Sequence, residues 1–109
     1  MHSTLIVARM DPEASLDVAA LFGEFDRTDM PHRMGTRRRQ LFHYRGLYFH
    51  LQDFDTDNGG ERIEGAKTDP RFTGISQDLK PFIDAYDPKT WKSPSDAMAQ
   101  RFYQWEASA

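Results

Sequence analysis

The chain lacks several features that would direct it to particular classes of protein. It has no cysteine among its 109 residues, which excludes disulfide bridges and thiolate chemistry. It has no apolar run near the ~20 residues that span a membrane, and its first residues do not read as a signal peptide. Its net charge of −3 gives no reason to expect binding to nucleic acid or to a membrane surface. We therefore expect a cytoplasmic protein with one domain over residues 1–109.

Metal and cofactor motifs are also missing. The histidines do not follow a short ligand spacing such as HxxxH. Gly59-Gly60 is not a phosphate-binding loop, because no GxxxxGK phrase accompanies it. The sequence therefore predicts neither a metal site nor a bound cofactor.

The stretch from Gly35 to Asp53 predicts a β-hairpin. Arg45-Gly46 supplies a two-residue turn, because glycine tolerates the positive φ that such turns need. Side chains alternate between the faces of a strand. One face of the hairpin then carries Phe42, Tyr44, Leu47, Phe49 and Leu51. The other carries Arg37, Arg39, Leu41, His43, Tyr48, His50 and Gln52.

The remaining elements are predicted from hydrophobic spacing and from turn residues. They are a first strand at Thr4–Arg9, a helix over 12–26, a helix from Glu61 to about Lys67, a helix that carries Ile75, Leu79, Phe82, Ile83 and Tyr86 on one side, and a last strand over Ala99–Trp105. The order is β-α-β-β-α-β, which is typical of an α+β, ferredoxin-like fold. A four-stranded antiparallel sheet then has helices on one face and a bare second face.

The bare face of the sheet needs a partner if it is apolar. The face with Phe42, Phe49 and Leu51 is the candidate contact of a homodimer, in a dimeric α/β-barrel-like assembly. The face with Arg39 and His50 would then lie under the helices, where charged groups need partners or a function. The residues alone leave the opposite arrangement open, with the polar face in solvent.

Several phrases in the same order resemble the small aromatic polyketide cyclases of streptomycetes. They are Arg9-Met10-Asp11-Pro12, Phe25-Asp26, Gly35-Thr36-Arg37-Arg38-Arg39, Leu47-Tyr48-Phe49-His50-Leu51, Asp69-Pro70-Arg71-Phe72 and Phe102-Tyr103-Gln104-Trp105. The resemblance runs nearly the full length. It implies a ferredoxin-like homodimer with an internal pocket between sheet and helices, which acts without a cofactor on intermediates of type II polyketide pathways. The intermediate would be free or bound to a carrier protein, and association with the synthase is possible.

The resemblance implies three catalytic residues, Arg39, His50 and Asp26. We expect substrate contacts from Tyr48, Phe25, Leu41 and His43, of which His43 is nearest to the turn and most open to solvent. The best-known member of the family has histidine where this chain has Phe25. A mechanism that needs a histidine at that position does not apply to this chain.

The implied activity is the regiospecific aldol cyclisation and dehydration of a poly-β-ketone or of a partly cyclised intermediate. Arg39 would hold an enolate oxygen, and His50 would move protons, because the ordinary pKa of histidine is near neutral. Two alternatives stay open. One is a cofactor-independent monooxygenase of polyketide anthrones, and the other is a module that binds the polyketide without catalysis.

Overall fold

The sheet and its helices follow the predicted order. The computed structural model describes residues 2–55, 65, 68–92 and 94–108. The strands are β1 (His2–Met10), β2 (Thr36–Tyr44), β3 (Leu47–Phe54) and β4 (Ile83–Ala85), and the helices are α1 (Ser15–Phe25), α2 (Met30–Met34) and α3 (Pro70–Leu79), with 3-10 turns at Pro12–Ala14 and Pro94–Ala97. The sheet is antiparallel with the order β2-β3-β1-β4. The prediction of a ferredoxin-like fold is confirmed.

The hairpin of β2 and β3 has the predicted turn and register. Arg45 (φ 49°) and Gly46 (φ 83°) both lie in the left-handed region, as a two-residue turn that follows the twist of the strands requires. Phe42 pairs with Phe49, and Leu41 pairs with His50. One face of the hairpin is therefore apolar and the other carries the polar residues, as the alternation predicts.

One prediction on the hairpin is wrong, and a β-bulge explains why. The pairing shifts between Thr36, which is opposite Phe54, and Arg38, which is opposite Asp53. Arg37 is the additional residue in this bulge and is exposed. Strict alternation had placed it on the face with Arg39, but a bulge interrupts the alternation at the residue that it adds.

Aspartate side chains fix the starts of two helical segments. Asp11 accepts a hydrogen bond from the Glu13 backbone N–H at 2.9 Å, before the 3-10 turn that leads into α1. Asp69 accepts one from the Arg71 backbone N–H at 2.9 Å at the start of α3. Both are followed by proline, which suits the first turn because it has no N–H to satisfy.

The end of the chain differs from the prediction. The helix that carries Ile75 and Leu79 was expected to continue to Tyr86, but α3 ends at Leu79, just before Pro81, and Ile83–Ala85 pairs with β1 as the fourth strand. A proline stops a helix because its ring clashes with the preceding turn. The strand predicted at Ala99–Trp105 is absent, and only Met98 makes an isolated bridge, to Ile6. The helix predicted from Glu61 to about Lys67 lies outside the described residues, apart from Gly65.

The helices cover the polar face of the sheet. Val18 and Phe22 of α1 form one buried cluster with Ala8, Met10 and Tyr48, and a second cluster joins Phe25, Met30, Met34 and Phe54. Ile75 of α3 packs against both clusters. The choice that the residues left open is thereby settled, because His50 is buried while Phe42 and Tyr44 on the other face are exposed.

The described helices are short, at most 11 residues. None of the described helices is both long enough and apolar enough to cross a lipid bilayer.

Candidate active site

A cavity of about 520 Å³ lies between the sheet and the helix layer. Arg39 from β2 and Tyr48, His50 and Gln52 from β3 form its polar wall. Phe22 and Phe25 of α1 and Phe72, Ile75 and Leu79 of α3 form most of its apolar wall. Concave, mostly apolar cavities with few polar groups are typical of sites for small molecules.

Arg39 is the charged group at the centre of the polar wall. Its side chain is only 8% exposed. Its Nε donates to both carboxylate oxygens of Asp26, at 3.1 and 3.0 Å, and its Nη2 donates to Oδ1 at 2.9 Å. Asp26 follows the last residue of α1, so the ion pair joins the end of this helix to β2. Such a two-pronged carboxylate contact fixes the plane of the guanidinium.

His50 contacts the other end of the same guanidinium. The Nη1 atom of Arg39 and the Nε2 atom of His50 are 2.8 Å apart. A guanidinium has donors and no acceptor, so His50 accepts this bond, and the proton of the neutral imidazole is on Nδ1. Nδ1 has no hydrogen-bond partner among the described residues. It is also not fully buried, because Thr4 Oγ1 is the one fully buried side-chain nitrogen or oxygen atom without a partner in that part of the chain. Nδ1 of His50 is therefore open to the cavity.

The surroundings keep His50 neutral. Burial, together with the nearby charge of Arg39, lowers the pKa of His50 to about 3. The expectation of a near-neutral pKa for His50 is thus wrong, because it rested on the ordinary value for histidine and not on an enclosed ring beside a cation. At neutral pH the imidazole carries no charge.

Tyr48 lies beside His50 on the cavity wall. The two rings are edge to face, with their centroids 6.2 Å apart. Burial raises the pKa of Tyr48 far above its ordinary value, against the opposing effect of Arg39. The phenol therefore keeps its proton, and its oxygen has no hydrogen-bond partner among the described residues, although Tyr48 is only 4% exposed.

Two aromatic rings of α1 cover the face of the Arg39 guanidinium. Its central carbon lies 4.9 Å from the centre of the Phe22 ring and 5.6 Å from that of Phe25. The electron-rich face of a benzene ring attracts a cation. Phe25 thus contributes packing and a cation–π contact, and no group that transfers protons.

The structure brings some of the predicted residues together and leaves others apart. Arg39, His50, Tyr48 and Phe25 line the cavity. Asp26 is behind Arg39, where its side chain is 38% exposed. Leu41 packs on the hydrophobic core and His43 is exposed, so the structure does not bring either of them to the cavity wall.

Sequence reasoning missed several residues of the wall. Gln52 lies on the face of β3 that carries His50, as alternation predicts, and donates to Thr36 at 3.2 Å, but it was not proposed as a site residue. Phe22 carries no such signal, since helix spacing predicts a core residue at that position. Lys80, Asp84 and Lys92 also line the cavity. Lys80 and Asp84 lie where the sequence predicted that one helix continues to Tyr86, and Lys92 lies in none of the predicted elements. In the part of the chain that the structure describes, no group of three His, Cys, Asp or Glu side chains is placed to hold a metal ion.

Comparison with known proteins identifies the family. The family model for polyketide synthesis cyclases matches residues 2–106. This chain belongs to the polyketide synthesis cyclase family. The resemblance described from the sequence is confirmed.

Two relatives of this chain come from Streptomyces. Tetracenomycin F2 cyclase of Streptomyces glaucescens is 37% identical over 106 residues, which are 97% of this chain and 95% of that protein. A protein of Streptomyces cyaneus named polyketide synthase CurG is 38% identical over 106 residues, which are 97% of this chain and 98% of that protein.

Solved structures agree with this assignment. The structure of tetracenomycin F2 cyclase, described as a type-II polyketide cyclase, has a TM-score of 0.92 and 36% identity, and covers 99% of this chain and 100% of its own. An antibiotic biosynthesis monooxygenase has a TM-score of 0.52 at 14% identity, over 76% of this chain and 86% of its own. The second likeness shows a shared fold only.

Proposed function

We propose that this cyclase catalyses the regiospecific aldol cyclisation and dehydration of a poly-β-ketone, or of a partly cyclised intermediate, in type II aromatic polyketide biosynthesis. Membership of the family supports the class of substrate. The observation that carries the proposal is the Arg39 cation, which is buried and held from two sides in a mostly apolar cavity. A cation that is fixed in advance stabilises negative charge as it forms on an oxygen.

The reaction needs the polyketide held in one conformation and a positive charge near the oxygen that becomes negative. An aldol closure removes a proton from a CH₂ group between two carbonyls, and the resulting enolate attacks a distant carbonyl of the same chain. Holding the polyketide in one conformation can lower the barrier by up to roughly 7–11 kcal/mol. The apolar walls from α1 and α3 would select that conformation of the polyketide, and Arg39 would hold the enolate oxygen.

Each member of the cluster has a part in this proposal. Asp26 is a positioning residue, because it bonds Arg39 from the side and does not line the cavity. His50 fixes the other end of the guanidinium and faces the cavity with Nδ1. Tyr48 presents a phenol to which no described residue is hydrogen-bonded. Phe25 would set the shape of the pocket where the best-known relative has histidine.

Reconstitution with a minimal synthase tests the reaction. The synthase and its acyl carrier protein are incubated with and without this cyclase, with chelator present, and the products are compared by mass and ultraviolet spectrum. We expect one aromatic product to replace a mixture of spontaneous cyclisation products. An unchanged mixture would contradict the proposal, and uptake of oxygen with an anthrone substrate would favour a monooxygenase instead.

We also propose that the cyclase is a homodimer through the apolar face of its sheet. Phe42 is 50% and Tyr44 is 60% exposed on this face, next to Leu47, Phe49 and Leu51. Further large aromatic side chains, Phe102, Tyr103 and Trp105, are also exposed. Apolar areas of this kind on a small protein usually contact a partner, and one patch serves twice in a two-fold dimer.

A further inference from the structure

We infer that the cavity binds its ligand as an oxyanion, the enolate of a β-diketone or a phenolate, and that His50 and Tyr48 act there as hydrogen-bond donors beside Arg39. This inference deepens the proposed function and rests on the same cavity. It assigns to His50 a part opposite to that of a base, because the ring gives a hydrogen bond to the ligand and takes no proton from it.

The free donors of Arg39 point to this role. A guanidinium has one N–H on Nε and two on each Nη. Asp26 takes the Nε–H and one Nη2–H, and His50 takes one Nη1–H. One N–H on Nη1 and one on Nη2 remain, on a side chain that lines the cavity. They form a pair of donors for a ligand oxygen.

The tautomer of His50 follows from its contact with Arg39. The lone pair on Nε2 is occupied by the Arg39 bond at 2.8 Å, so the ring has no free lone pair with which to accept a proton. Nδ1 carries the hydrogen and is open to the cavity. Burial and Arg39 disfavour a second proton on the ring, which keeps it neutral.

Tyr48 adds a third kind of donor on the same wall. Its phenol has no partner in the part of the chain that the structure describes, and burial keeps it protonated. Its ring adjoins that of His50. An oxygen acceptor that meets Arg39, His50 and Tyr48 together satisfies donors that are otherwise unpaired, and a negative oxygen does so best.

The charges around the cavity favour an anion as well. Among the described lining residues, the cations are Arg39, Lys80 and Lys92, and the carboxylate is Asp84. The carboxylate of Asp26 is behind Arg39 and both of its oxygens accept bonds from it. Asp84 lies in β4, which β1 separates from the β2–β3 hairpin that carries the three donors, so the proton of the acidic ligand leaves to solvent and the anion stays.

The acidity of a bound dye tests this inference directly. Alizarin is a flat hydroxyanthraquinone whose first phenol changes colour when it ionises, and chelator in the buffer prevents metal complexes. Spectrophotometric titration with saturating wild-type protein is expected to give a phenol pKa about 1–2 units below that of free alizarin, since a fixed cation favours the charged form. An unchanged or raised pKa would overturn the inference, and so would the absence of binding in either form.

Matched variants assign the shift to its donors. Arg39→Met is expected to remove most of the shift, while Arg37→Met, which removes an exposed arginine from the bulge, keeps it. Tyr48→Phe is expected to reduce the shift by about half a unit or more, while Tyr44→Phe on the other face leaves it intact. His50→Gln, whose oxygen can accept from Arg39 while its amide donates, keeps more of the shift than His50→Leu. The assignment would be refuted if the dye pKa shifted equally in Arg39→Met and Arg37→Met. It would also be refuted if it shifted equally in His50→Gln and His50→Leu.

The tautomer of His50 is measurable in the wild-type protein without any ligand. Nitrogen-15 spectra at pH 7 are expected to show His50 as a neutral ring protonated on Nδ1, with its signals identified by their loss in His50→Gln. A charged ring, or a proton on Nε2, would overturn the inference even if reconstitution gave a single product. Conversely, a lowered dye pKa with no effect on product distribution would contradict the proposed function and leave the anion site standing.

Discussion

Arg39 has little freedom to move, because its neighbours hold it from several directions. Asp26 bonds one edge of the guanidinium and His50 bonds the other, while Phe22 and Phe25 lie over its face. A long side chain normally gives up considerable rotational entropy when a ligand immobilises it. Here Arg39 has already lost that entropy when the protein folds, so its donors are in place before the ligand binds.

Replacing Arg39 should therefore be the most damaging single change in the site. Arg39→Ala is expected to lower the rate of cyclisation by about 10²–10³, the usual effect of removing one fixed donor from a developing oxyanion. Asp26→Asn should lower it less, because the guanidinium remains in the cavity. The measurement is the initial rate in the reconstituted system, with Arg37→Ala as the control. A full rate for Arg39→Ala in a folded protein would show that the cavity only templates the substrate.

The buried neutral state of His50 makes stability depend on pH. Between the His50 pKa of about 3 in the folded protein and the ordinary value of about 6.5, the unfolded chain binds more protons than the folded one. The stability that comes from keeping His50 neutral is fully present above about pH 6.5 and is lost as the pH falls towards 3. From pH 7 to pH 5 it should lower the free energy of unfolding by about 2 kcal/mol.

Urea denaturation of matched variants isolates this effect. His50→Gln should show a smaller loss of stability between pH 7 and pH 5 than the wild type. His43→Gln, which changes an exposed histidine on the neighbouring strand, should follow the wild type. Parallel curves for wild type and His50→Gln would mean that the ring protonates without cost in the folded state.

Part of the site could be predicted from strand alternation. Arg39, Tyr48 and His50 share one face of the hairpin because the turn sets the register and the register sets the faces. The donor and acceptor roles could not be predicted, because they depend on how deeply His50 is buried and on which atom of Arg39 reaches it. Those are properties of packing between α1 and the sheet, which the sequence pattern does not encode locally.

At the scale of elements, long regular segments were predicted and short ones were not. The strands β1, β2 and β3 each run for 8 or 9 residues, enough for alternation to be visible. The strand β4 has only three, Ile83–Ala85, and is defined by pairing with β1 and not by its own pattern. The aromatic residues from Phe102 to Trp105 are typical of a strand in composition, yet they are exposed and unpaired with the sheet.

The hairpin turn contains a strain that a substitution can relieve. Arg45 has φ 49°, a conformation that costs most side chains roughly 1 kcal/mol and that asparagine adopts more readily. Arg45→Asn should therefore raise the free energy of unfolding by about 0.5–1 kcal/mol, as measured by urea denaturation. Gly46→Ala, at φ 83°, should lower it. A stabilising Gly46→Ala would show that the turn adopts another conformation in solution.

At the scale of the whole molecule, the two faces of the sheet have opposite surroundings. The polar face lies under helices and forms the cavity, while the apolar face carries exposed Phe42 and Tyr44. This reverses the usual preference for apolar residues inside and polar residues outside. The cavity explains the first exception, and a second subunit on the apolar face would explain the other.

A charge on the apolar face should disrupt assembly. Phe49→Glu places a carboxylate at the centre of the proposed contact and is expected to give a monomer or an aggregate by size-exclusion chromatography with light scattering. Leu16→Glu is the matched control, because Leu16 is 82% exposed on the helix side. A dimer of undiminished stability for Phe49→Glu would exclude this face as the contact.

The bulge in β2 gives this strand an unusual tolerance to a change in its length. Deleting any one of the three consecutive arginines leaves the same sequence, Thr36-Arg-Arg-Gln40. Thr36 and Arg38 are already paired with consecutive residues of β3, Phe54 and Asp53, so a shortened strand can pair regularly with an arginine still opposite Gln52. Losing an arginine should thus be milder than replacing Arg39 with alanine, since the deletion keeps a guanidinium in the cavity. The initial rates of the two variants compare them, and a deletion as inactive as Arg39→Ala would show that the site needs the bulge itself.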